Sequence, residues 1–157
     1  GLGPAPSERW RLAVRGERTQ MGPSGHELVD HTSEVTLRIH APTFEGVLEE
    51  AARAFLGLAP ARIRGEPTVD EREFRLDAPD RAALLVDWLN ELVYLGEAER
   101  WLPREVRAEA LGPGGVRIHA AGLALSEPFV LVKAATLHGA VVRDVPDGVR
   151  AEVTLDV

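Results

Sequence analysis

The chain has 157 residues, of which 45% are hydrophobic and 27% charged, and it has no cysteine. That composition fits one globular domain and excludes disulfides, thiolate zinc sites and thiol nucleophiles. The formal net charge is −7, and because Arg9, Arg11, Arg15 and Arg18 lie in the first 25 residues, residues 26–157 hold 14 basic against 23 acidic side chains, a net −9. An acidic body repels a phosphate backbone, so direct nucleic-acid binding is not expected and any role near nucleic acid would run through a protein partner; the plain alternative is that the acidity only serves solubility. Of the 18 basic residues 17 are Arg, and Lys133 is the single Lys. No stretch reaches the roughly 20 apolar residues of a membrane span. The N-terminus lacks the apolar core of a signal peptide. A cytoplasmic protein without membrane association is the expectation.

In chain order, residues 1–25 are rich in Gly, Pro, Arg and Ser and read as a disordered tail. Residues 26–157 form the domain. Residues 31–40 alternate, with Val35, Leu37 and Ile39 on one face, and predict a half-buried strand. Thr43 is a plausible N-cap for a helix carrying Phe44, Val47, Leu48, Ala51, Ala52 and Phe55, with Gly57 as its stop. Residues 60–67 read as a loop, and residues 71–77 as a charged edge strand. Asp80 caps a second helix, whose broad stripe runs from Leu84 to Leu95, with Asp87, Asn90 and Glu91 opposite it. Residues 104–111 and 116–123 flank a Gly-Pro-Gly-Gly hairpin turn. Residues 130–136 and 137–142 read as extended, and Pro146-Asp147-Gly148 turns the chain into a final strand over residues 150–157. Two helices with six or seven hairpin-linked strands predict an α+β two-layer sandwich, with the helices on one face of a mostly antiparallel sheet.

Three places could carry chemistry. Asp30-His31-Thr32-Ser33-Glu34 gathers two carboxylates, an imidazole and two hydroxyls, and alternation places Asp30, Thr32 and Glu34 on one face. Such a cluster suits a metal or acid–base work, and it is also ordinary turn chemistry. Asp156 stands next to the main-chain carboxylate of Val157, and two fixed carboxylates invite a hard cation. The plain alternative is an edge strand that happens to end there. Lys133 and His138 could meet a phosphate or act as ligand or base, or simply be a snorkelling Lys and a surface His. His26, His40 and His119 stand apart in sequence and read as surface residues. No nucleophile elbow, HExxH or zinc spacing is present.

These segments, in this order, resemble the archease family. The opening strand matches over His26-Glu27-Leu28-Val29-Asp30-His31-Thr32-Ser33-Glu34, and the second helix over Leu84-Leu85-Val86-Asp87-Trp88-Leu89-Asn90-Glu91-Leu92. Val132-Lys133-Ala134-Ala135-Thr136-Leu137-His138 and Leu155-Asp156-Val157 match the two later motifs. The chain departs from the family pattern where Glu34 replaces Asp, Leu137 replaces Tyr and His26 replaces an aromatic residue.

The resemblance implies a small metal-binding accessory protein, not an enzyme, that activates the GTP-dependent tRNA-splicing RNA ligase. That ligase joins a 2′,3′-cyclic phosphate end to a 5′-hydroxyl end in tRNA processing and RNA repair, and the activator promotes its guanylylation and repeated turnover. The implied cation is divalent, calcium before magnesium or manganese. Its implied ligands are Glu34, Asp156 and the C-terminal Val157, with Asp30, His31, Lys133 and His138 as supporting or partner-contact residues. The alternatives are a chaperone-like modulator of an RNA-modifying enzyme such as a methyltransferase, or a metal-dependent phosphoesterase using Asp30 or His31 as base.

Overall fold

The structure, a computed structural model, describes residues 23–31 and 33–157. The tail expected over residues 1–25 falls, up to residue 22, outside the described residues. Seven strands run β1 (Gly25–His31), β2 (Glu34–Ala41), β3 (Arg64–Asp77), β4 (Trp101–Gly112), β5 (Gly115–Leu125), β6 (Ala134–Val145) and β7 (Gly148–Asp156). Among the described residues two α-helices, α1 (Phe44–Leu58) and α2 (Arg81–Ala98), stand between β2 and β3 and between β3 and β4. The strands divide into two antiparallel sheets, one of four strands in the order β1-β2-β7-β6 and one of three in the order β3-β5-β4. The fold is α+β.

The helices begin where the capping residues lie. Thr43 Oγ1 accepts the Gly46 N–H at 3.0 Å and Asp80 Oδ1 accepts the Ala83 N–H at 2.8 Å. α1 continues through Gly57 to Leu58, because apolar burial of Leu58 outweighs the weak stop that a single glycine offers. Residues 60–67, expected as a loop, hold a 3₁₀ turn at Ala61–Ile63 and the start of β3. The two expected segments 130–136 and 137–142 are one strand, β6, whose ladder with β7 breaks between Thr136 and Val141. Residues 137–140 loop out of that ladder.

The core lies between the sheets and the helices. Val35, Leu37 and Ile39 of β2 and Ala151, Val153 and Leu155 of β7 supply it from the four-stranded sheet. Trp88 of α2 is fully buried, its ring centroid 5.5 Å from that of Phe74, and its indole N–H donates to the Leu48 main-chain oxygen of α1 at 3.0 Å. That bond satisfies the one polar atom of the largest core side chain. Edge strands are sealed by helix side chains: Glu49 of α1 accepts the Ala108 N–H of β4 at 3.0 Å.

His26, read as a surface residue, is instead buried. Its Nδ1 lies 2.8 Å from Glu50 Oε1, and the two side chains are only 4% and 5% exposed. β1 pairs His26 with Ile39, so the position faces the core, where the imidazole is held by its hydrogen bond to Glu50 of α1. Arg53 Nε reaches the other Glu50 oxygen at 3.3 Å. Burial raises the Glu50 carboxyl, but the His26 hydrogen bond and the charges of Arg53, His26 and His40 outweigh it, so the group sits below its ordinary value of 4.5.

Two expectations follow from this packing. A Cβ on Gly122 would fall 1.9 Å from Trp101 Cε2, with no flexible end to yield. Gly122→Ala should therefore lose about 1–3 kcal/mol in urea unfolding, and an unchanged midpoint would show that Trp101 relocates freely. Glu50, with its depressed carboxyl, contributes stability above the ordinary carboxylate pKa and loses it as pH falls through the depressed value. In thermal melts from pH 7 to pH 3, wild type should fall faster than Glu50→Gln once the pH passes below about 4.5; parallel curves would contradict the assignment.

Candidate functional site at one end of the four-stranded sheet

β2 and β7 are 107 or more residues apart in sequence at their facing ends, yet pair in one unbroken register from Glu34↔Asp156 to Ala41↔Val149. Alternation then sends Val35, Leu37 and Ile39 inward, and Glu34, Thr36, Arg38 and His40 to the open outer face. On β7 the outward set is Arg150, Glu152, Thr154 and Asp156. β6 adds Ala134 opposite Asp156 and Thr136 opposite Thr154. The outer face is thus a set of cross-strand rows. One row joins Glu34, Asp156 and Ala134, and the next joins Thr36, Thr154 and Thr136. A third pairs Arg38 with Glu152, Nε to Oε1 at 3.1 Å.

The first row is the odd one. The Val157 N–H donates to the Ser33 oxygen at 3.2 Å, flanking the Glu34–Asp156 pair. That makes it a pair without mutual main-chain bonds, the type whose side chains approach most closely. Directly opposed Cβ atoms lie about 4.5–5.5 Å apart. Two rows along, Arg38 answers the carboxylates of Glu152 and, at 4.0 Å, Glu27. Among the described residues, no hydrogen bond or ion pair answers the side chain of Glu34 or Asp156. Like charges opposed in this way repel.

The remaining candidates fall around this row. The Lys133 N–H donates to the Asp156 main-chain oxygen at 2.8 Å, so the single Lys enters the row's edge with an exposed side chain. His138 is exposed on the looped-out stretch 137–140, away from the paired ladder. Asp30 and His31 end β1, with Asp30 in register with Val35 and His31 with Glu34. The expectation that Asp30, Thr32 and Glu34 share a face assumed one continuous strand, whereas β1 and β2 are the two strands of a hairpin; the Asp30 side chain and Thr32 lie outside the described residues. The final strand forms as β7, ending at Asp156, and the plain alternative of an edge strand does not hold, because β7 lies between β2 and β6. Val157 continues beyond it, partly buried against the core.

Asn90 was expected on the open side of α2, yet its amide bonds the main chain of β6. Oδ1 accepts the Ala135 N–H at 2.8 Å and Nδ2 donates to the Ala135 oxygen at 3.1 Å. The available sequence signal was a weak helix former in mid-helix, next to the apolar Leu89.

The profile of the Archease protein family (MTH1598/TM1083) matches residues 26–157. The chain belongs to the archease family. It is 31% identical over 142 residues to "Protein archease" of Methanosarcina barkeri, covering 84% of this chain and 95% of that one. The corresponding protein of Methanosarcina mazei is 32% identical over 143 residues, with the same coverage of 84% and 95%. Two solved structures share the fold. The archease of Thermotoga maritima, described as a possible chaperone, superposes with a TM-score of 0.58 at 17% identity, covering 82% of this chain and 94% of that one. Protein 1598 of Methanobacterium thermoautotrophicum gives 0.59 at 23% identity, over 84% and 98%. No helix among the described residues is long and apolar enough to cross a membrane.

The opposed carboxylates carry their own test. Glu34→Gln removes one of two like charges, so in chelator-treated buffer it should be more stable than wild type by roughly 0.2–1 kcal/mol. A variant of equal or lower stability in urea titration would mean that the row is already compensated.

Proposed function

We propose that this archease family member is a metal-binding accessory protein, without catalysis of its own, that activates a GTP-dependent RNA ligase in tRNA splicing and RNA repair in the cytoplasm. The supporting observation is the Glu34–Asp156 row: two carboxylates in direct register on an open face, with no hydrogen bond or ion pair to either side chain among the described residues. Hard carboxylate oxygens suit a divalent cation, and calcium's looser geometry accommodates Glu where the family pattern has Asp. Glu34 and Asp156 would hold the ion, joined by the main-chain carboxylate of Val157 where the protein ends at that residue. When bound, the cation supplies a fixed positive charge of the kind that steadies nucleotide phosphates during nucleotidyl transfer.

The chain's own residues prepare this end of the sheet. The Val157 N–H bond to Ser33 holds the terminal residue beside the row, and the Lys133 N–H bond to Asp156 sets the start of β6 against it. The exposed Lys133 side chain can meet an anionic group that approaches the same end. The net −9 of residues 26–157 suits a protein partner better than bare RNA.

Calcium at about 100 times its Kd should raise the unfolding free energy of wild type by about 2.7 kcal/mol, and leave Glu34→Ala/Asp156→Ala nearly unmoved. Wild type that responds to neither calcium, magnesium nor manganese would sink the metal reading. Ligase guanylylation with GTP should be stimulated by wild type and not by the double variant, nor by a form extended past Val157. Absence of stimulation by wild type would turn the assignment toward a chaperone-like partner of an RNA-modifying enzyme such as a methyltransferase; the Thermotoga relative is itself described as a possible chaperone.

A further inference from the structure

We infer that Asn90 is a positioning residue for the functional end of the sheet. It clamps the first residues of β6 against β7, and thereby sets Lys133 and Asp156 relative to each other. The inference rests on the proposed role of the Glu34–Asp156 row, and names the residue outside that row on which its geometry depends.

Asn90 occupies the middle of α2, between the buried Leu89 and Leu92. Asparagine is a weak helix former, and nothing in the helix itself calls for it. Its amide instead meets both main-chain groups of Ala135, at 2.8 Å and 3.1 Å. Ala135 faces β7 on one side, in register with Leu155, so its own N–H and C=O point to the open edge of the sheet. A primary amide is the side-chain group that both donates and accepts in the plane a neighbouring strand would use. Aspartate could only accept, lysine could only donate, and glutamine would overshoot by a methylene. Asn90 therefore acts as a one-residue strand added from a helix.

The clamp sits where β6 has least other support. Three residues upstream of the ladder, the chain runs irregularly, and its next tie to α2 is the Phe129 N–H bond to the Gly96 oxygen at 2.9 Å. Downstream, residues 137–140 leave the ladder altogether. Only residues 134–136 pair with β7 before that break, and Ala135 is the middle one. Its neighbour Ala134 is opposite Asp156, and Lys133 donates its N–H to the Asp156 oxygen at 2.8 Å. Loosening Ala135 loosens the strand that flanks Asp156 and the residue that brings the single lysine to the row.

Glu49 provides a matched control, because it also seals an edge strand, at Ala108 N–H of β4 in the other sheet. Amide hydrogen exchange and calcium titration calorimetry are to be run on wild type, Asn90→Ala, Asn90→Asp and Glu49→Gln. In Asn90→Ala, Lys133 amide exchange should rise by about tenfold or more, and calcium affinity should weaken by about tenfold. Asn90→Asp, which keeps one of the two bonds, should show smaller losses of the same kind. Glu49→Gln should lower the melting temperature while leaving both readouts as in wild type. Unchanged Lys133 exchange and calcium affinity in both Asn90 variants would overturn the inference, as would equal losses in Glu49→Gln, which would mark general softening. Faster Lys133 exchange in Asn90→Ala, alongside a wild type that binds no calcium, would uphold the clamp and remove the cation reading.

Discussion

The pairing of β2 with β7 is the constraint on which the rest of the molecule depends. These strands come from opposite ends of the domain, and no hairpin turn sets their register. What sets it is the inner face, where Val35 meets Leu155, Leu37 meets Val153 and Ile39 meets Ala151, all buried. A slip by one residue would turn this whole set to solvent and carry Glu34 and Arg38 into the core. Hydrophobic burial on one face thus fixes, as a by-product, which polar residues meet on the other. The opposition of Glu34 and Asp156 is a consequence of packing that neither residue takes part in.

The helices act on this frame through a few polar atoms as well as through their apolar stripes. Trp88 spends its indole N–H on the α1 main chain, Glu49 and Asn90 fill open strand edges, and Glu50 holds the buried His26 of β1. Each of these groups would be costly in an apolar setting without its partner. Together they tie the two helices to each other, α1 to both sheets and α2 to the four-stranded sheet. At the proposed functional end, no comparable answer to Glu34 or Asp156 is found among the described residues. The second sheet shows the contrast: on its outer face Arg117 lies between Glu73, at 2.6 Å, and Glu109, at 3.2 Å.

Much of this was legible in the chain. The two N-caps, the apolar stripes of both helices and the Gly-rich hairpin are local signals, and local signals survive folding. The division into two sheets was not legible, because strand neighbours are chosen by long-range burial that alternation within a segment does not encode. The hairpin between β1 and β2 was not legible for a related reason: a tight reversal leaves no gap in a polar run, so one strand and a tight hairpin look alike. His26 looked like a surface residue because its partner Glu50 lies a strand and a helix away. The residues Glu34, Asp156 and Val157 were reached through family resemblance and not through spacing. The structure adds the register that brings the first two face to face.

The proposed working end is the end of the four-stranded sheet where Glu34 faces Asp156. The most direct test of that account is an NMR titration with manganese, which broadens amide signals near the site where it binds. Broadening confined to residues 33–35, 132–134 and 155–157, and reversed by excess calcium, is the result the account predicts. Broadening centred on Glu73 and Glu109 of the other sheet, or spread evenly over the acidic surface, would contradict it.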